Sequence, residues 1–167
     1  TFATPYTGWI VWLALINFVV LLPFILKRIF IMRDLPVPAK PMITILAAPA
    51  SLSLLAYLTQ YGANNEAFVY CILIFAQLLY FIVLYELQTL IKVPFYPSFG
   101  AFTFPLVVSA TALYSALQLL PSPPILLEPL FYFELLIASG ITIYVFFVYM
   151  RYLAIQTAHT ANQLSTK

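Results

Sequence analysis

Five stretches of the chain stay apolar on every side for about twenty residues at a time: Gly8 to Leu26, Pro41 to Tyr61, Ala67 to Leu90, Phe99 to Leu120, and Leu130 to Met150. A hydrocarbon layer about 30 Å thick takes roughly 20 residues of helix to cross, so each stretch predicts a membrane span. Transmembrane strands are excluded, because they would alternate apolar and polar positions over about ten residues and these runs do neither. Polar residues collect between the runs. The connections Gly62 to Glu66 and Pro121 to Pro129 are short, which makes spans two and three, and spans four and five, antiparallel hairpins. Residues 151–167 read as a polar tail, and the whole of 1–167 as one all-α integral membrane domain.

Spans two and four share more than hydropathy. Pro41 and Pro97 precede them, Pro49 and Pro105 interrupt them, and Ser53 and Ser109 follow one turn later, each pair 56 residues apart. A constant offset at three positions predicts a repeated helical hairpin whose first helix is broken by proline. Span one is then left over, the second helix of a further hairpin whose first helix lies upstream. The chain begins at Thr1 with no basic segment ahead of a cleavable apolar core. Both features predict a piece of a longer protein.

Composition sharpens this picture. Apolar residues make up 64% of the chain and charged ones 7%, with mean hydropathy +1.03. A soluble domain carries about 25% charge, and twelve charged side chains cannot dress a surface of this size, so the surrounding solvent is the lipid bilayer. A net charge of +2 from so few groups gives no footprint for nucleic acid. Lys27, Arg28, Arg33 and Lys40 lie between spans one and two, Lys92 between three and four, and Arg151 and Lys167 after five. The other two connections hold no Lys or Arg. The positive-inside rule therefore predicts an external N-terminus and a cytoplasmic C-terminus.

Little side-chain chemistry is available. Cys71 is the only cysteine and His159 the only histidine, so neither a metal site nor a nucleophile can be assembled. There is no phosphate loop and no Ser/His/Asp set, which argues against an enzyme and against a cofactor. The prolines carry more. Proline has no N–H for the carbonyl four residues back, so Pro49 is expected to free the Ile45 carbonyl and Pro105 that of Ala101. Unpaired backbone at membrane depth is tolerated where it faces protein or a watery path, and the resumed helix would offer N–H donors to an anion. Thr44, Ser51 and Ser53 in span two, and Thr103, Ser109, Thr111 and Ser115 in span four, add hydroxyls but no ionisable group. A path of hydroxyls and dipoles would pass anions without trapping them; the same small residues also suit close helix packing. Two carboxylates, Glu86 and Glu134, lie within spans near interfacial water and are functional candidates by position. Glu134, near a helix start, would complement the dipole; Glu86 would pair with Lys92 or an arginine.

The run Pro94-Phe95-Tyr96-Pro97-Ser98-Phe99-Gly100-Ala101-Phe102-Thr103-Phe104-Pro105, and the Ala-Pro of Pro41-Met42-Ile43-Thr44-Ile45-Leu46-Ala47-Ala48-Pro49-Ala50-Ser51, resemble characteristic stretches of the tellurite-resistance/dicarboxylate transporter family, TehA-like and related to the plant slow anion channels. The resemblance covers the whole chain and the C-terminal half of a ten-helix member. It implies a homotrimer in which every subunit has its own pore, lined by the first helices of five hairpins and gated by a phenylalanine, here Phe104. Gly100 departs from the aromatic residue common at that position, and three of the five lining helices are absent.

Together these readings predict half of an anion channel or carrier in the plasma (inner) membrane, completed by the N-terminal half of the same protein. Pro49, Ser53, Thr44, Thr103, Pro105 and Ser109 would line the path of an inorganic or small organic anion. The rival is a five-helix membrane scaffold that binds a partner and conducts nothing.

Overall fold

The computed structural model describes residues 8–32 and 35–165, and every element among them is helical. α1 spans Gly8–Leu26 and runs on as a π-helix over Lys27–Met32. The second span opens as a 3₁₀ helix, Val37–Ala47, and continues as α2, Ala48–Tyr61. α3 is Glu66–Leu90. The fourth span repeats the second's pattern, with a 3₁₀ lead-in over Pro97–Phe102 and then α4, Thr103–Leu119. α5 is Leu127–Ser165. Among the described residues five helices are long and apolar enough to cross a membrane, where the apolar runs place them. Arg33, Lys167 and the Thr1 end, which entered the orientation and truncation readings, lie outside the described residues, as does the His159 side chain.

Several boundaries differ from expectation, two of them with a clear physical cause. Helix 5 does not stop at Met150: residues 151–165, expected as a tail, prolong it. That stretch contains neither Gly nor Pro, so the end of the apolar run marks a change of solvent and not a helix stop. The second span begins at Val37 instead of Pro41 because the 3₁₀ lead-in takes both Pro38 and Pro41 into its turns.

The prolines do not leave the helices broken, as the sequence led us to expect. A 3₁₀ turn pairs each carbonyl with the N–H three residues on, so the Ile45 carbonyl accepts from Ala48 N–H and does not wait for Pro49. Thr103 N–H likewise bonds the Gly100 carbonyl. Pro49 and Pro105 then sit in the first turn of α2 and α4, where a missing donor costs least. The expected free Ile45 carbonyl is absent, and the first N–H groups of the resumed helices are in use.

Lipid tails are as apolar as leucine, so helices in a bilayer associate through close contact of small residues and through hydrogen bonds. α2 buries Ala48, Ala50, Ser51 and Ser53 and α4 buries Ser109, Ala110, Ala112 and Ala116. Around the end of the bundle bearing the short turns, Leu54, Tyr57 and Leu58 of α2 meet Val69, Ile72 and Leu73 of α3 and Leu113 of α4. Near the opposite end Tyr80 and Leu87 of α3, Phe99 and Phe102 of the lead-in, Leu106 of α4, and Ala138 and Val145 of α5 form a second cluster. α1 lies outermost and buries only Gly8 and Val11. The α2–α3 turn is set by Gly62, whose φ of 65° suits a residue without Cβ, and by Asn65, whose side chain accepts from Phe68 N–H at 3.1 Å to cap α3. On the second helices of the two hairpins, Phe75 is half-buried against Phe18 of α1, their ring centres 6.0 Å apart, and Phe146 is exposed.

Candidate functional site

The seam between the second and fourth spans is where the polar residues of the two proline-bearing helices meet. Ser98 Oγ donates to the Pro38 carbonyl at 2.5 Å and ties the two lead-ins together. Farther along, Thr44 Oγ1 lies 2.8 Å from the Pro41 carbonyl and 2.7 Å from that of Ala101. Ala101 is the residue whose α-helical donor would be the N–H that Pro105 lacks. A hydroxyl from the neighbouring helix, its one proton shared with the Pro41 carbonyl, reaches the Ala101 carbonyl in place of that N–H, so the carbonyl expected to be free has a partner. Next comes Ser51, whose Oγ lies 3.1 Å from the Ala47 carbonyl and 3.0 Å from Ser109 Oγ. Ser51 has one proton and a carbonyl can only accept, so Ser109 is the donor of that pair. Tyr149 of α5 reaches back to the Pro97 carbonyl and fixes the lead-in from the far side.

The residues expected along a path therefore divide. Thr44, Ser53, Ser109 and Pro105 are buried within the chain, Pro49 and Thr103 are half-buried, and Thr103 Oγ1 donates to the Gly100 carbonyl at 2.9 Å. Phe104 stands apart, 55% exposed between the buried Phe102 and Pro105. It heads a stripe of exposed positions at helical spacing on α4, continuing through Val107, Thr111, Tyr114 and Gln118.

The two carboxylates also divide. Glu86 is half-buried and lines a cavity of about 420 Å³ with Lys40, Ile43, Tyr85 and Thr89. Lys40, and not the expected Lys92, is the base that shares this cavity. Glu134 was expected within reach of interfacial water; instead it is fully buried, and neither of its oxygens has a hydrogen-bond partner. Its polar neighbours are Gln77 and Tyr80 of α3, each of which also leaves a buried oxygen unpartnered. Sequence reasoning passed over both. The available signal was an amide and a phenol one turn apart in one of the two most apolar spans. Among the described residues no three His, Cys, Asp or Glu side chains gather into a metal site.

No family model, no curated protein and no solved structure matches this chain.

Proposed function

We propose that the chain is half of an anion channel or carrier, built from repeated hairpins whose first helices line the path. The observation that carries this reading is the fate of one helix face under the 56-residue repeat. Ala48, Ser51 and Leu58 of α2 are buried and Leu55 is half-buried, in the helix that packs against α4. The α4 equivalents of Ser51, Leu55 and Leu58 are Val107, Thr111 and Tyr114, and all three are exposed. A face that one unit covers with its successor recurs on the successor uncovered, which is the pattern of a heterologous, head-to-tail assembly that has not closed. The matching change of winding, from 3₁₀ to α beside Pro49 and again beside Pro105, supports the same repeat.

In this reading α2 and α4 stand against the path, α1, α3 and α5 form the outer ring, and the N-terminal half of the same protein supplies the remaining first helices. Phe104 closes the path as a hydrophobic constriction, held by the proline after it. The resemblance of the Phe102-Thr103-Phe104-Pro105 run to the tellurite-resistance/dicarboxylate transporter family points to the same residue and to a homotrimer. The test is electrical recording of the whole protein in planar bilayers, with chloride, nitrate and malate exchanged in turn. Anion-selective current is expected; current no greater than that of protein-free lipid under every anion would favour the non-conducting scaffold.

A further inference from the structure

Glu134 lies seven residues into α5, about 10 Å along its axis. One turn on, Ala138 belongs to the apolar cluster that also contains Tyr80 and Leu106, so the carboxyl group enters the region where α3, α4 and α5 meet. It is fully buried and both its oxygens lack a partner. Gln77 Oε1 and the Tyr80 hydroxyl are buried and unpartnered as well. Four orphaned polar atoms on three neighbouring side chains are unusual, because buried polar groups are almost always bonded.

α3 brings Tyr80, which lies close to Glu134. α4 brings one titratable residue, Tyr114, exposed and stacked on Phe131. On α5 itself Glu128 and Tyr132 are exposed. No Lys, Arg or His occurs between Lys40 and Lys92 or between Lys92 and Arg151; Lys92 follows Tyr80 by twelve residues, about 18 Å of helix. An ionised carboxylate here would be a buried charge with only neutral dipoles for company, an arrangement that proteins avoid by neutralising the group.

We infer that Glu134, Gln77 and Tyr80 form a buried proton-binding site, in which Glu134 is held as the neutral acid in the folded protein. The proton comes from bulk water and bonds one carboxyl oxygen. That oxygen becomes a donor to Gln77 Oε1, and the other accepts from the Tyr80 hydroxyl, so these two bonds would give each of the four orphaned atoms a partner. Deprotonation strands a charge between three helices. Stability is therefore present while the acid is neutral and is lost as pH rises through its titration.

Infrared difference spectroscopy of the purified chain in deuterated buffer tests this, and it measures no transport, so it stands apart from the channel reading. At neutral pH a carboxylic-acid C=O band is expected above the amide bands, absent in Glu134→Gln and retained in Glu86→Gln. The melting temperature of wild type should fall from neutral to alkaline pH, while Glu134→Gln holds level. Should Glu134→Gln fail to fold, Tyr80→Phe serves in its place, keeping the band but shifting its frequency. Wild type without the band at neutral pH, or a band that survives Glu134→Gln, would overturn the proposal. So would stabilisation by sodium at fixed pH that Glu134→Gln abolishes, since the occupant would then be a metal cation.

Discussion

Phe104 and Phe102 are two residues apart in one run, yet their surroundings demand opposite outcomes on truncation. Phe102 is fully buried against Phe99, with ring centres 4.9 Å apart, so Phe102→Ala should open a cavity and cost about 3–5 kcal/mol. Phe104 is more than half exposed, so Phe104→Ala should leave the melting temperature nearly unchanged. If its ring plugs a path, the same substitution should raise anion conductance of the whole protein well above wild type. Conductance per folded protein that stays at the wild-type level would remove the gate. Thr44 makes a second residue-scale case. Its hydroxyl proton is shared between the Pro41 and Ala101 carbonyls, and Thr44→Val keeps shape while removing both contacts in a medium without water. The expected cost is about 1–2 kcal/mol in thermal or denaturant unfolding, with Thr44→Ser recovering most of it.

The proline-bearing helices show why those two residue effects are linked. Pro105 withholds an N–H and Thr44 of the adjacent span replaces it with an O–H, so the defect in one helix becomes a bond to another. Pro105→Ala would restore the backbone donor and make the hydroxyl redundant. A double-mutant cycle should then show Thr44→Val costing about 1 kcal/mol less in the Pro105→Ala background than alone; strict additivity would mean that the Ala101 carbonyl is served some other way. How much of this was legible follows from what each signal measures. Apolar run length reports contact with lipid, and it located all five helices. It is blind to winding, so Pro38, Pro41 and Pro49 read as punctuation when the chain absorbs them by turning three residues per bond through Val37–Ala47. It is also blind to helix ends in water, and α5 runs on past Arg151 unannounced. The 56-residue offset paired Ser53 with Ser109, but the hydroxyl that Ser109 meets across the seam is that of Ser51, which the repeat does not name. Burial of Glu134 depends on how α5 turns against α3, a tertiary fact with no local trace; only Gln77 and Tyr80, polar groups in an apolar helix, hinted at a partner.

Across the whole molecule, orientation in the bilayer follows from charge that the fold has sorted. Lys27, Arg28 and Lys40 flank the connection between α1 and the second span, and Lys92 follows α3. The turns joining α2 to α3 and α4 to α5 hold no base. Antiparallel hairpins put the first set at one end of the bundle and the two turns at the other. Cationic side chains near a span resist translocation, so the basic end is predicted to face the cytoplasm. The substituted-cysteine test needs a silent background, because Cys71 is exposed; Cys71→Ala supplies it. In that background Asn64→Cys, on the α2–α3 turn, should react with a membrane-impermeant maleimide added to intact cells. Ala39→Cys, within the 3₁₀ lead-in beside Lys40, should react only after permeabilisation. The reverse pattern would invert the chain, put the cavity that Glu86 and Lys40 share on the outer face, and carry the exposed Phe104 end of the α4 stripe to the opposite side of any path, so the two labels decide from which side an anion first meets that ring.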